Sequence, residues 1–292
     1  MYRAGTHGRK VAALGLAALL PGLAAVRSQA ASVDGRAAIG GQLSPLQLSI
    51  GPAVLGFHYR EQAPDGSALD RERGALPGFC AALSQSAGRL FVRMAGCYYH
   101  GTVSYDGHTQ SGVPVSTDTD ESLGDGRMEV GGRFGTPGAR VYRVYGLVGY
   151  RRWDRTVRST PTVNGLSEIY TWPYVGLGAN GVLLRRGRWR WTVDAQMRVP
   201  LAPKVRIDFG GLYDPSTVRP GALPGFRLAL PLTYRLSPTQ GVTVTPYWNF
   251  WRLGKSDVNT LYRGGVPVGT VYEPESRTSS PGISVLLYVR YY

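Results

Sequence analysis

Between Arg188 and Val199 the chain reads RWRWTVDAQMRV, with a polar residue at every even position and an apolar residue at every odd one. Successive side chains of a β-strand point to opposite faces, so a period of two predicts a strand with one greasy and one polar side. The pattern recurs. FRLALPLTYRL sets Phe226, Leu228, Leu230, Leu232 and Tyr234 against Arg227, Thr233 and Arg235, and ISVLLYVRYY aligns Ile283, Val285, Leu287, Val289 and Tyr291. RMEVGGRF and VYRVYGLVGY repeat it, the second with Tyr142, Val144, Val148 and Tyr150 on one side. No segment beyond residue 40 shows a helical period, and the expected class is all-β.

The patterning predicts ten strands, near residues 46–61, 69–84, 89–105, 122–134, 140–154, 168–184, 188–199, 225–236, 242–252 and 280–292. Short links such as SQSAG, TPGA, RRG and SPTQG alternate with long ones, among them HTQSGVPVSTDTDESL and the stretches 200–224 and 253–279. An up-and-down antiparallel transmembrane barrel explains this alternation through short periplasmic turns and long extracellular loops. A barrel is also the only sheet that leaves no open edge in hydrocarbon.

Aromatic residues mark where such strands would cross the membrane boundary. Tyr142 and Tyr150, and likewise Phe226 and Tyr234, stand eight residues apart at the two ends of apolar runs. Eight residues rise about 26 Å, or roughly 20 Å once tilted, close to an outer-membrane apolar band. Trp189, Trp191 and Tyr291 join this expected girdle on the inner side, and Trp248 and Phe250 on the outer side. The opposite phase would line the lumen: Arg93, Glu129, Arg133, Arg143, Arg190, Asp194, Arg198, Arg227 and Arg235.

Composition adds a compartment. The first thirty residues combine Arg3, Arg9 and Lys10 with an apolar run from Val11 to Ala25 and a Ser28-Gln29-Ala30 cleavage pattern, which is the anatomy of a secretory signal peptide. The expected organisation is a signal peptide at 1–30, a periplasmic segment at 31–45 and a barrel at 46–292, located in the bacterial outer membrane. Export excludes a nucleic-acid role for the net charge of +14, and nearly all of that charge is arginine. Cys80 and Cys97 occupy neighbouring strands, but a turn centred near Ser86 and Ala87 would offset them by four residues. That offset is about 13 Å, so two separate lumenal thiols are expected.

The C-terminal strand ending in Tyr291 and Tyr292 resembles the terminal signal of Gram-negative outer-membrane proteins, which implies insertion by the outer-membrane assembly machinery. LDRERGALPG, YDGHTQSGVP and GYRRWDR, followed by LSEIYTWPYVGLG, resemble uncharacterised proteobacterial outer-membrane β-barrel proteins over most of 46–292. Ten strands also matches the size of the omptin surface proteases, which place an Asp pair and an Asp-His pair on opposite rims. Asp106 with His108 and Asp118 with Asp120 have those spacings, but both fall in one expected loop. His58, His100 and His108 are scattered, so no catalytic residue, metal site or cofactor is expected.

Three functional readings follow. The first is a structural or surface-interaction barrel whose loops bind lipopolysaccharide or a partner. The second is a narrow anion-preferring channel, and the third is an omptin-like hydrolase. Arg155, Arg158, Lys204, Arg206, Arg219, Lys255, Arg263 and Arg277 are the expected outer-loop cations for lipopolysaccharide phosphates.

Overall fold

The computed structural model describes residues 44–63, 65–109, 112–135 and 141–292; the expected signal peptide at 1–30 and nearly all of the expected periplasmic segment at 31–45 lie outside the described residues. Six long strands come first: β1 (Leu46–Gln62), β2 (Ala68–Ala87), β3 (Leu90–His108), β4 (Pro114–Phe134), β5 (Tyr142–Val157) and β6 (Leu166–Arg186). After them come β7 (Trp189–Pro200), β8 (Lys204–Asp208), β9 (Ser216–Val218), β10 (Gly221–Ala229), β11 (Leu232–Arg235), β12 (Gln240–Gly254), β13 (Asn259–Arg263), β14 (Val266–Val271) and β15 (Glu275–Tyr291).

β10 and β11 form one stave, because both pair with β7 on one side and β12 on the other. Pro231 lacks an N–H and interrupts the stave, while Leu230 N still donates to Pro246 O and Pro231 O still accepts from Thr192 N. With β15 pairing to β1, ten antiparallel staves close on themselves. Closure gives every wall strand two neighbours, which is the arrangement a hydrocarbon solvent demands.

The connections differ between the two ends. At the turn end, Ala87 faces Leu90 across Gly88 and Arg89, and Gly187 with Arg188 joins β6 to β7. Gly88 (φ 55°) and Gly187 (φ 58°) take the left-handed backbone that such two-residue turns require. At the loop end, β8 adds to β6 and β9 to β8, while β13 and β14 make a separate hairpin. Asp214 ties these two connections together by accepting from Gly264 N and Gly265 N, at 3.0 and 2.8 Å.

The wall strands run well past the expected loop boundaries. The expected loop HTQSGVPVSTDTDESL is mostly strand, since β3 continues to His108 and β4 starts at Pro114. Ten residues of β4, from Pro114 to Leu123, extend the wall by about 25 Å beyond the apolar outer face.

Within single strands the greasy face changes sides. On β1, Leu48, Ile50 and Val54 point outward and are exposed, whereas Leu55, Phe57 and Tyr59 point inward and are buried. On β5, Val144, Val148 and Tyr150 face out, and Trp153 faces in at 2% exposure. β6 repeats this with Val175 and Leu177 outside but Trp172 and Tyr170 inside, and β12 with Trp248 outside but Trp251 and Leu253 inside. No bulge is needed: between Leu48 and Leu55, β1 pairs in constant register with β2. The pleat is continuous and only the residue types switch, because the surroundings of the barrel switch from lipid to water.

Candidate functional site

The outward apolar band and its aromatic borders are formed by residues brought together from neighbouring staves. Trp189 and Tyr234 are cross-strand partners with ring centroids 4.6 Å apart near the turn end. Phe226 packs against Trp248 at 4.8 Å and Phe250 at 5.0 Å on the far side of the band. Tyr142, Tyr150, Trp191 and Tyr291 project outward and are exposed. The part of each strand between these borders is the membrane-spanning part.

Inside that part the lumen holds arginines with few acids. Glu129 accepts from Arg93 at 3.1 Å and Arg127 at 2.8 Å. Tyr145 donates to Asp194 at 2.7 Å, and Gln196 bridges the two. Arg198 and Arg227 are buried or half-buried without a carboxylate; each donates to Asn249 Oδ1 at 3.2 Å. Their remaining charge is met by aromatic faces, Trp251 at 4.2 Å from Arg198 and Tyr247 at 4.6 Å from Arg227. A desolvated cation over a ring gains about 2 kcal/mol, which makes these sites tenable. Arg143 lies over Phe91 in the same way at 4.9 Å. Arg190 is half-buried with no acid beside it, and Arg133 and Arg235 are exposed near the turn end. Tyrosine rings lie directly over the inward glycines Gly149 (Tyr174) and Gly178 (Tyr145), where a Cβ would collide with the ring.

Beyond the outer aromatic border the lumen is built differently. Register sets Glu61 opposite Asp70, Tyr59 opposite Glu72, and Arg155 between Glu121 and Glu168. All of these positions point inward and converge on Arg155. Its guanidinium reaches Glu168 at 2.6 Å, Glu72 at 2.8 Å, Asp70 at 2.9 Å and Glu61 at 3.3 Å. The Tyr59 ring lies 4.8 Å away. Glu121 accepts from the Trp153 indole, Glu273 accepts from Tyr170 at 2.6 Å, and Trp153 stacks on Tyr170 at 4.4 Å. One arginine thus sits among six buried carboxyl groups.

Protons moderate that imbalance. Burial works against charge on Arg155, but Glu72, Glu168 and Asp70 outweigh it and hold the guanidinium protonated. Burial pushes Glu273 up to about 8, helped by the charge of Glu168. Burial likewise raises Glu61, with Asp70 adding to the effect, and raises Glu121, with Glu72 adding to it. An ion cluster in which each acid either meets Arg155 or keeps its proton satisfies the rule that buried charge must be compensated.

Three sequence expectations are corrected. Arg155 is not an outer-loop cation, for it lies on β5 at 2% exposure, facing the lumen, and Arg277 is not one either, for it stands on the wall strand β15. Asp106, His108, Asp118 and Asp120 do not share a loop. They stand on β3 and β4 facing outward, with Asp118 and Asp120 held by Arg158 at 3.5 and 2.7 Å. Cys80 and Cys97 are not separate thiols; they are direct cross-strand partners joined by a disulfide, with Cα atoms 4.1 Å apart. The turn lies at Gly88 and Arg89, two residues beyond the expected centre, and that shift removes the four-residue offset. Glu61, Asp70, Glu72, Glu121, Glu168 and Glu273 were not expected as lumenal groups. Their signal is the inward phase of strands continued past the membrane band.

No family model and no curated protein matches the chain. Among solved structures, it is similar to the outer membrane protease OmpT of Escherichia coli. That match has 13% identity and a TM-score of 0.57, and covers 86% of this chain and 97% of the other. It is also similar to the outer membrane protein OprG of Pseudomonas aeruginosa, with 7% identity, a TM-score of 0.40 and the same coverages. A third similarity is to the Pseudomonas putida toluene transporter TodX, with 10% identity and a TM-score of 0.35 over 85% of this chain and 90% of that one. At these identities the likeness concerns architecture alone. The chain has the fold of the ten-strand outer-membrane β-barrels.

Proposed function

We propose that the protein resides in the bacterial outer membrane, loop end outward, as a filled and non-conducting barrel with a structural or surface-interaction role. The observation that carries this reading is the Arg155 cluster. Arg155, Glu72, Trp153 and Tyr170 are each 2% exposed or less, and together they occupy the bore between the outer membrane border and the loops. Arg198, Trp172, Trp251 and Tyr174 fill it again below. An ion path would have to break both layers, so the anion-channel reading is set aside. Hydrolysis is set aside as well, because Asp106, His108, Asp118 and Asp120 face outward and Asp118 and Asp120 are tied to Arg158. What remains available to a partner is the long wall above the membrane and the joined loops that crown it.

The test is single-channel recording of the refolded full chain in planar bilayers. The reading expects no steady conductance at either polarity, and stepwise anion-selective openings would overturn it.

A further inference from the structure

The wall above the outer aromatic border carries an arrangement that sheets normally avoid. Outward-facing Arg252, Arg277, Arg60 and Arg71 are consecutive cross-strand partners on β12, β15, β1 and β2: Arg252 opposes Arg277, Arg277 opposes Arg60, and Arg60 opposes Arg71. Arg73 stands one outward step below Arg71. Like charges directly opposite one another destabilise a sheet, so an unbroken row of four is a cost that folding alone does not explain.

Few internal acids offset the row. Glu275 reaches Arg252 at 3.1 Å and Arg277 at 3.7 Å. Arg60 donates only to the Gly66 carbonyl, at 3.3 Å, and its Nε is buried without an acceptor, as is the Nε of Arg252. Asp106 is opposite Arg71 in register but makes no ion pair with it, and Arg71 and Arg73 have no ion-pair partner among the described residues. The contrast with β5 is sharp, since Arg152 on it and Arg158 just beyond its end are each matched to an outward Asp.

Height selects the ligand. Arg60, Arg73 and Arg277 each lie six residues beyond the outward apolar residues Val54, Phe79 and Ile283 of their own strands. Six residues of tilted strand rise about 15 Å, whereas Arg252 lies two residues, about 5 Å, beyond Phe250 of the outer border, so the row spans a depth that a phosphorylated saccharide headgroup covers and a single phospholipid phosphate layer does not. We infer that this arginine row binds the phosphates of a glycolipid in the surrounding outer leaflet, one whose phosphorylated saccharide headgroup stands above the membrane surface. Guanidinium forks match phosphate oxygens two at a time, and several in a row hold a multiply phosphorylated headgroup against the wall. The inference rests on the outward orientation of the loop end proposed above.

The experiment uses the refolded full chain in neutral detergent, titrated with rough lipopolysaccharide and, separately, with the same material after phosphatase treatment. The readout is the shift in heat-modified gel mobility and melting temperature, an assay that does not depend on conductance or orientation. Saturable stabilisation by the phosphorylated form alone is expected. Replacing Arg60, Arg71 and Arg277 together with Gln weakens it about a hundredfold, and Arg71→Gln alone about fivefold, in line with one surface arginine near an anionic lipid. The control Arg152→Gln, which removes an outward arginine already paired with Asp154, leaves the affinity unchanged. Three outcomes each overturn the inference: equal binding of the dephosphorylated form, displacement by inorganic phosphate at equal phosphorus, or no difference between the triple and control variants. Should the triple variant not refold, Arg71→Gln decides the matter.

Discussion

The same ten strands are two proteins in succession. In the membrane-spanning half the outside is apolar, with Val144, Val148 and Leu177 exposed, and the inside holds Arg93, Glu129, Gln196 and Arg198. In the half beyond it the inside is a packed core of Phe57, Leu76, Leu123, Trp153 and Tyr170, and the outside is His58, Arg60, Ser104 and Arg152. The second half is built like a soluble barrel and the first like its inverse. Solvent, not strand geometry, decides which face is greasy, and one continuous pleat can serve both solvents if the sequence changes phase at the boundary.

The contrast is broken most strongly at Arg155. Arg155→Met leaves four carboxyl groups in the outer half without their cation, and a loss of about 3–5 kcal/mol is expected in urea unfolding of the refolded protein. Arg152→Met on the same strand, an exposed ion pair, changes stability by less than about 1 kcal/mol. Packing sharpens the same comparison. Trp153→Ala opens a cavity in the outer core and costs about 3–5 kcal/mol, whereas Val148→Ala, on the same strand but on the lipid face, costs less than about 1 kcal/mol because acyl chains fill the space.

Arginine substitution reads the two outsides directly. Leu177→Arg, opposite Gly146 and so midway between the levels of Tyr142 and Tyr150, is expected to cost about 2–4 kcal/mol. Ser104→Arg, outward in the water-facing half, stays within about 0.5 kcal/mol. Equal penalties at the two sites would erase the distinction. Reduction of the Cys80 to Cys97 bridge costs at most about 3 kcal/mol by loop closure, and less to the extent that the β2 and β3 ladder already holds those residues together.

The smallest effect is one of pH. Glu273, raised to about 8 from an ordinary 4.5, folds in its protonated form. Its contribution is complete below the unfolded value and is lost as pH rises through about 8, because folding then requires uptake of a proton. Hydrogen exchange over residues 255–274 is therefore slower at about pH 5.5 than at about pH 8.5, after correction for intrinsic rates. Faster exchange at the lower pH would mean that Glu273 folds ionised.

Much of the membrane half was legible in the chain itself. RWRWTVDAQMRV gives β7 to within a residue at each end, and the apolar runs bounded by Tyr142 and Tyr150 mark the band without ambiguity. The outer half was obscured by its reversed phase. A reader following Met128 and Val130 toward the N-terminus of β4 meets Gly126, Gly124, Ser122 and Asp120 where the next greasy residues should be, and takes the strand to have ended. In fact the greasy position has moved to Leu123 on the opposite face. That misreading left Glu121 outside the expected strand and turned Arg155 from a lumenal hub into a supposed loop cation, while Glu61, Glu72 and Glu168 stood at or near the ends of expected strands without a greasy partner phase to mark them as inward. The disulfide was obscured for a narrower reason. A two-residue turn leaves little sequence evidence of its centre, and a displacement of two residues moves a cross-strand partner by four.

The change of phase along one strand is the claim on which the rest stands, and β1 tests it most directly. Single spin labels at positions 48, 50, 54, 55, 57, 58 and 60 of the reconstituted barrel report contact with lipid through oxygen and contact with water through a polar nickel reagent. The account expects lipid contact at 48, 50 and 54, shielding from both at 55 and 57, and water contact at 58 and 60. Lipid contact persisting at 58 and 60, or water reaching 55 and 57, would contradict it.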